Sequence, residues 1–180
     1  MRIIDRIFIA IVAYAAIVLP ANSQSVSTLE NVRVETYFSA NGGATEAIAN
    51  WIDAASSRVW LAGYGFWSAP IAKALAAAYE RGVDVHLVLD SSNRKVRYSR
   101  APELHTAGLD VLTNSRYAIM HHKFVIVDQS VVLGSMNFTA SGESRNAENM
   151  NVFAAVDPSA AVYVREFLRL HREAEPFVKL

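Results

Sequence analysis

Short apolar strands and amphipathic helices alternate between residues 31 and 90, and few folds accommodate that order. "NVRVETYFS" alternates like a half-buried strand. "NGG" at 41–43 breaks it before "ATEAIANWIDAAS", where Ala47, Ile48, Trp51, Ile52 and Ala55 recur at helical spacing. "RVWLAGYGF" predicts a second strand, and "SAPIAKALAAAYERG" a second helix with Ser68 as N-cap, Pro70 in its first turn and Gly82 past its end. "VDVHLVLD" predicts a third strand. Each strand–helix–strand step is a crossover unit, so the pattern predicts an α/β fold: a mixed, largely parallel central sheet with helices on both faces.

The rest of the chain adds to that frame. "SSNRKVRYSRAPELHTAG" is polar and holds Arg94, Lys95, Arg97 and Arg100 within seven residues, with Tyr98 among them. It reads either as a solvated loop or helix face, or as a cationic cluster for phosphate-backbone contact. "LDVLT" predicts a fourth strand, and "YAIMHHKFVIVD" and "SVVLGS" two more, joined by a tight turn at Asp128 to Ser130. "NVFAAV" adds another strand, and "DPSAAVYVREFLRLHREAE" a closing amphipathic helix capped by Asp157 with Pro158 at its first position. No internal repeat or low-complexity linker interrupts the series, so residues 24–180 read as one domain.

Composition bounds the chemistry. The chain of 180 residues is 52% hydrophobic and 19% charged, as expected of a folded protein. Its 17 Lys and Arg balance 17 Asp and Glu, so any polyanion site must be local. With no cysteine, the chain has no disulfide, no thiolate metal site and no lipid-modified cysteine. The N-terminus reads as a secretory signal over residues 1–23: Arg2 and Arg6, the apolar run "IFIAIVAYAAIVL", then "PANSQS" with Ala21 and Ser23 placed for cleavage after Ser23. That run is shorter than the roughly 17–25 residues that span a bilayer. An uncleaved membrane anchor is the alternative; either way the folded part is periplasmic or secreted.

The stretch "MHHKFVIVDQSVVLGSMNFT" carries the chemistry. Side chains two apart on a strand share a face, so His121 and Lys123 point one way and His122 the other. A histidine beside a fixed positive charge suits a phosphate substrate. Two other readings stand beside this one. His121, His122 and Asp128 are metal-ligand types, although adjacent strand residues diverge and Lys123 opposes a cation. A partly buried His–Lys–Asp cluster bonding its own backbone is the structural alternative. Gly134, Ser135 and Asn137 at the end of the following strand form a hydroxyl-and-amide cradle for an oxyanion or phosphate.

"HHKFVIVD" followed by "GSMNFT" resembles the HxKxxxxD…GSxN signature of the phospholipase D superfamily. "VETYFSANGGATEAIANWIDAA", "SAPIAKALAAAYERGVDVHLVLD" and "RNAENMNVF" extend the likeness to the superfamily's small bacterial endonucleases, over roughly residues 32–170. One departure stands out: Gln129 to Leu133 places five residues between Asp128 and Gly134, one fewer than is usual in the family. A slip there would turn side chains to the other face.

The resemblance implies phosphodiester hydrolysis through a covalent phosphohistidine, without metal or other cofactor. His121 is then the nucleophile; Lys123, Ser135 and Asn137 hold the nonbridging oxygens; Glu148 bonds the far imidazole nitrogen; and Asp128 and Gly134 keep the turn and the strand end in place. One histidine cannot both attack phosphorus and protonate the opposite leaving oxygen. His86, His105 and His171 lie outside any such motif, so the resemblance implies a homodimer that brings two copies of His121 together. The expected substrate is DNA, with RNA also admitted, contacted by Arg94, Lys95, Arg97, Arg100 and Arg116. A phospholipid-cleaving or phosphatidyl-transferring enzyme with the same chemistry, and a catalytically inactive nucleic-acid-binding module, are the alternatives.

Overall fold

The spacings read from residues 33–90 become β1 (Arg33–Ser39), α1 (Ala44–Asp53), β2 (Arg58–Gly63), α2 (Ala69–Glu80) and β3 (Asp84–Asp90). A 3-10 turn (Ser91–Arg94), α3 (Ala101–Thr106) and β4 (Asp110–Asn114) follow. The chain ends with β5 (Lys123–Val127), β6 (Ser130–Gly134), α4 (Ala140–Ser144), β7 (Glu148–Ala154), α5 (Asp157–Arg172) and β8 (Glu175–Pro176). This computed structural model describes residues 32–180, and the expected leader at residues 1–23 lies outside them.

All eight strands join one sheet in the order β1-β7-β6-β5-β2-β3-β4-β8. The expected mixed α/β class holds, with a smaller parallel share. Two pairings, β2-β3 and β3-β4, are parallel, and the other five are antiparallel. Crossover helices enforce parallel strands only where they occur, and β5, β6 and β7 return without one. Several boundaries also differ: β2 ends at Gly63 rather than Phe66, and β7 runs over Glu148–Ala154 rather than 151–156. The strand expected from residue 117 begins at Lys123, and Val156 rather than Asp157 occupies the cap position of α5.

Alternation along the central strands divides the interior into two layers. Leu61, Leu87, Val125 and Val127 pack toward α1, α2 and α3 with Ile48, Ile52, Ile71, Leu75 and Leu104. Ala62, Val88, Phe124 and Ile126 pack toward α5 with Phe167 and Leu170. A one-residue slip of β5 would exchange the two sets, so its register is under strong selection by burial.

Asp128 fixes that register from the turn. Its carboxylate accepts hydrogen bonds from the Ser56 amide (3.0 Å) and hydroxyl (3.0 Å), the Ser57 amide (2.8 Å) and hydroxyl (2.6 Å), and the Arg58 amide (3.0 Å). The Arg58 Nε donates to the Asp128 carbonyl at 2.9 Å, and the Asp128 amide to the Arg58 carbonyl at 3.0 Å. Asp128 itself sits at φ 51°, closing a two-residue hairpin in which Val127 pairs with Ser130. Two residues, Asp128 and Gln129, thus make the whole turn between β5 and β6.

Partial burial works against ionisation of Asp128, yet the donors on Ser57, Arg58 and Ser56 outweigh it and hold the carboxyl well below its usual range. The stabilisation is therefore present above the unfolded value near 3.8 and lost as pH falls toward the depressed native value. Asp128→Asn is expected to cost about 2–3 kcal/mol at neutral pH in urea unfolding, with the gap to the parent closing in acid. Equal stability at pH 7 would remove the clamp from the account.

Candidate active site

The strand directions bring five strand termini to one end of the sheet: the C-terminal ends of β2, β3 and β6 and the N-terminal ends of β5 and β7. Asp128 lies at the opposite end of β5. The residues gathered at the first end are Tyr64, Asp90, His121, Lys123, Ser135 and Glu148.

His121 is exposed and packs its ring on Tyr64 with centroids 4.9 Å apart. It lines a cavity of about 120 Å³ with Tyr117, Ile119, Met120, His122, Arg169 and Leu170. His122 turns the other way, toward α5, with its Nε2 3.2 Å from Glu166 and its ring against Phe124. The two histidines diverge as strand alternation predicts, although both precede the first residue of β5. A shared metal between them is not what this divergence suits.

Lys123 is 8% exposed, and its Nζ donates to the His121 carbonyl at 2.9 Å and lies 5.7 Å from the Tyr64 ring centroid. Burial lowers its pKa from the usual lysine value, and the negative charge of Glu148 opposes that shift. Lys123 and Glu148 therefore feel one another across the strand ends. A buried ammonium with one hydrogen bond still has two N–H groups to offer.

Glu148 is held at both oxygens. The Ser135 hydroxyl donates to it at 2.6 Å and the Asn146 side-chain amide at 3.1 Å. Ser135 Oγ also accepts from the Asn149 amide at 3.0 Å, and the Ser135 amide donates to the Asn149 carbonyl at 3.0 Å. The Glu148-to-His121 bond implied by the family resemblance is not formed among the described residues; Glu148 is bonded to Ser135 and Asn146 instead. Asn137 leaves its side-chain oxygen buried without a hydrogen-bond partner among the described residues. Gly134 has a steric cause: a Cβ there would lie 2.1 Å from the Asn149 carbonyl oxygen.

The five cationic residues expected at the substrate face divide. Lys95 and Arg97 are exposed. Arg116 is exposed with Glu173 at 3.8 Å, and Arg100 pairs with Glu103 at 3.0 Å. Arg94 departs furthest from the expectation: its Nε donates to Thr113 Oγ1 at 2.7 Å and its Nη2 to Glu175 at 3.0 Å, leaving the side chain 17% exposed. Its donors fasten the chain around β8.

Three residues that the motif analysis passed over support the site. Asp90 accepts from the amides of Ser92 (2.9 Å) and Met120 (2.9 Å), which fixes the residue before His121. Buried Asn93 donates to the carbonyls of Tyr64 (2.7 Å) and Asp90 (3.0 Å), and accepts from Ser99 at 3.1 Å. The Tyr64 amide in turn donates to the His122 carbonyl at 3.1 Å. An aspartate closing the otherwise apolar strand end "LVLD" was the available signal, since a buried carboxylate needs donors.

The comparisons with known proteins bear on this arrangement. A family model described as cardiolipin synthase, PLD-like domain matches residues 48–171, which include every motif residue above. The chain belongs to the phospholipase D superfamily. A curated phospholipase D of Rickettsia conorii is 41% identical over 127 residues, 70% of this chain and 64% of that protein. A mitochondrial cardiolipin hydrolase of Mus musculus is 31% identical over 124 residues, 68% of this chain and 56% of that protein. The chain thus spans somewhat under two thirds of the curated relatives it matches. Among solved structures, Nuc, a phospholipase D family member of Salmonella typhimurium, superposes with a TM-score of 0.78 at 30% identity, covering 81% of this chain and 98% of that one. This likeness places the expected fold class on a second footing.

Within that superfamily fold, Lys123 is an expense to stability. Lys123→Met removes a desolvated charge while keeping the aliphatic stem, so unfolding free energy is expected to stay level or rise by about 1 kcal/mol. A loss of more than about 2 kcal/mol in urea unfolding would make Lys123 a structural residue.

Proposed function

We propose that this chain is a phosphodiesterase that needs no metal ion for turnover, an endonuclease of low sequence specificity acting on DNA and also accepting RNA. One observation carries the reading: an exposed His121 packs its ring on Tyr64 while the buried, partly desolvated Lys123 bonds the His121 carbonyl and lies over the same Tyr64 ring, its charge opposed by Glu148, which holds Ser135. A mobile proton carrier beside a fixed cation and a hydroxyl is suited to an in-line attack on a phosphodiester.

In this reading the His121 imidazole nitrogen attacks phosphorus and the P–O bond to the leaving alcohol breaks. The leaving oxygen takes its proton from His121 of the partner subunit, and water then cleaves the phosphohistidine. Lys123, Ser135 and the Asn137 amide hold the nonbridging oxygens. Substrate drawing the Ser135 hydroxyl onto phosphate frees Glu148 to orient the imidazole. The homodimer follows from the need for a second proton donor. Lys95, Arg97 and Arg116 contact the phosphate backbone; the 93–100 segment is tied to the β2–α2 loop that carries Tyr64, through Asn93 and through the Arg100 amide on the Phe66 carbonyl. The leader read at residues 1–23 supports export, with a membrane anchor as the other outcome.

Phospholipid is the second reading. Ile119 is 55% exposed next to His121, and the R. conorii relative is named phospholipase D. Plasmid nicking and phosphatidylcholine release distinguish the two: nicking by the parent, reduced at least about 10³-fold in His121→Ala, supports the nuclease. Lipid release without nicking supports the lipase. DNA binding without turnover in either protein supports an inactive module.

Two further outcomes are expected. Nicking persists in excess chelator, and its loss there with recovery on adding a divalent ion would defeat the scheme. The rate also declines on the alkaline side through a pKa below the usual lysine value of 10.5, since burial lowers Lys123 and the neutral amine cannot balance phosphate charge. A pH–rate profile flat through that range would contradict the role of Lys123.

A further inference from the structure

Away from the strand ends that carry His121, three metal-ligating side chains from three elements converge on the α5 side of the sheet. His86 of β3 and Asp110 of β4 are cross-strand neighbours in register, and His171 comes from the last turn of α5. The His86 Nδ1 lies 2.5 Å from Asp110 Oδ2, and the His171 Nε2 lies 2.8 Å from the same oxygen. The three ligand atoms all fall within 4.8 Å of one another, and each side chain is partly exposed. Four residues of strand separate His86 from Asp90, about 13 Å along β3, so this cluster is remote from the His121 end.

We propose that His86, Asp110 and His171 form a binding site for a divalent transition-metal ion of the zinc class, which fastens the end of α5 to β3 and β4. Two imidazoles and one carboxylate are the donor set of three-ligand zinc sites, with water free to complete the tetrahedron. Mg²⁺ and Ca²⁺, which favour oxygen ligands, suit it poorly. Bond lengths near 2.0–2.1 Å set donor atoms about 3.3 Å apart in a tetrahedron. The gaps at Asp110 therefore open by roughly 0.5–0.8 Å, within reach of side-chain rotation at a partly exposed site.

A second, independent arrangement points the same way. The other nitrogen of His86, Nε2, sits 2.8 Å from Asp84, and the Trp60 indole N–H donates to Asp84 at 2.8 Å. With Nε2–H donating to Asp84, Nδ1 is the nitrogen that would exchange its contact with Asp110 for a bond to the ion. A carboxylate behind a histidine ligand is the outer support that metal sites use to orient the ring and raise its basicity. Trp60 and His86 pair in register and touch edge to face at 5.8 Å, so this support is built into the β2-β3 ladder.

The chain has no cysteine, so a metal clip is one of the few cross-links open to it. Arg169 and Leu170, the two residues before His171, line the cavity beside His121.

Tag-free full-length protein, stripped with chelator and dialysed, provides the test. Zn²⁺ is expected to bind at one equivalent per chain by calorimetry and elemental analysis, and to raise the melting temperature by about 5 °C or more at 100-fold excess over Kd. Co²⁺ is expected to give the intense visible bands of four-coordination. His171→Gln and Asp110→Asn, confirmed folded by circular dichroism, are expected to lose at least tenfold in affinity, and Asp84→Asn about tenfold through His86. No zinc uptake by the wild type, or equal uptake by the folded variants, overturns the proposal; the Co²⁺ spectrum of the wild type decides it should a variant not fold. Turnover at 25 °C is expected to be the same with and without zinc, so failure here leaves the His121 chemistry untouched, and failure of that chemistry leaves this site untouched.

Discussion

The Asp128 carboxylate is the fixed point from which the sheet end acquires its chemistry. Five hydrogen bonds from Ser56, Ser57 and Arg58 tie the β5–β6 turn to the start of β2. With that end pinned, β5 runs antiparallel to β2 in one register, and Lys123 falls opposite Gly63 at the other end. The same hairpin delivers β6 so that Gly134 lies opposite Met150, which puts Ser135 against Glu148. Were β5 to slip by one residue, Lys123 would leave the Tyr64 side and its apolar neighbours would exchange layers. A contact at one end of the strand therefore determines geometry at the other.

The end of the sheet near His121 is held by polar contacts that leave the imidazole free. Asp90 anchors Met120, Asn93 anchors Tyr64, and Tyr64 backs His121, while the imidazole itself remains exposed. Rigid support behind an accessible side chain is what preorganisation asks of a scaffold. Lys123 is the complementary case, since its burial weakens its hold on a proton and Glu148 restores part of that hold. The buried, unpartnered oxygen of Asn137 adds local polarity at the same strand end.

Much of this was legible before the fold was seen, for identifiable reasons. Helical spacing in "ATEAIANWIDAAS" and alternation in "RVWLAG" and "VDVHLVLD" report local physics, and α1, β2 and β3 follow them. The divergence of His121 and His122 is equally local. What the sequence hid depends on partners far along the chain. The parallel share of the sheet was overestimated because periodicity says nothing of strand direction once crossover helices stop. Arg94 read as a substrate contact until Thr113 and Glu175 claimed its donors, 19 and 81 residues away. His171 and Asp110 meet across 61 residues, a pairing with no trace in spacing. Glu148 lay outside the strand expected at 151–156, yet it opens β7, and its neighbours Ser135 and Asn146 set its hydrogen bonds.

The central claim is that His121 forms a covalent bond to phosphorus, and trapping that bond tests it most directly. Rapid quenching of the protein with a phosphodiester substrate under alkaline, denaturing conditions, followed by peptide mass spectrometry, reads the site of modification. The account predicts an acid-labile, alkali-stable phosphoryl adduct on the peptide containing His121, absent in His121→Ala. An adduct on any other residue, or turnover that continues undiminished in His121→Ala, would contradict it.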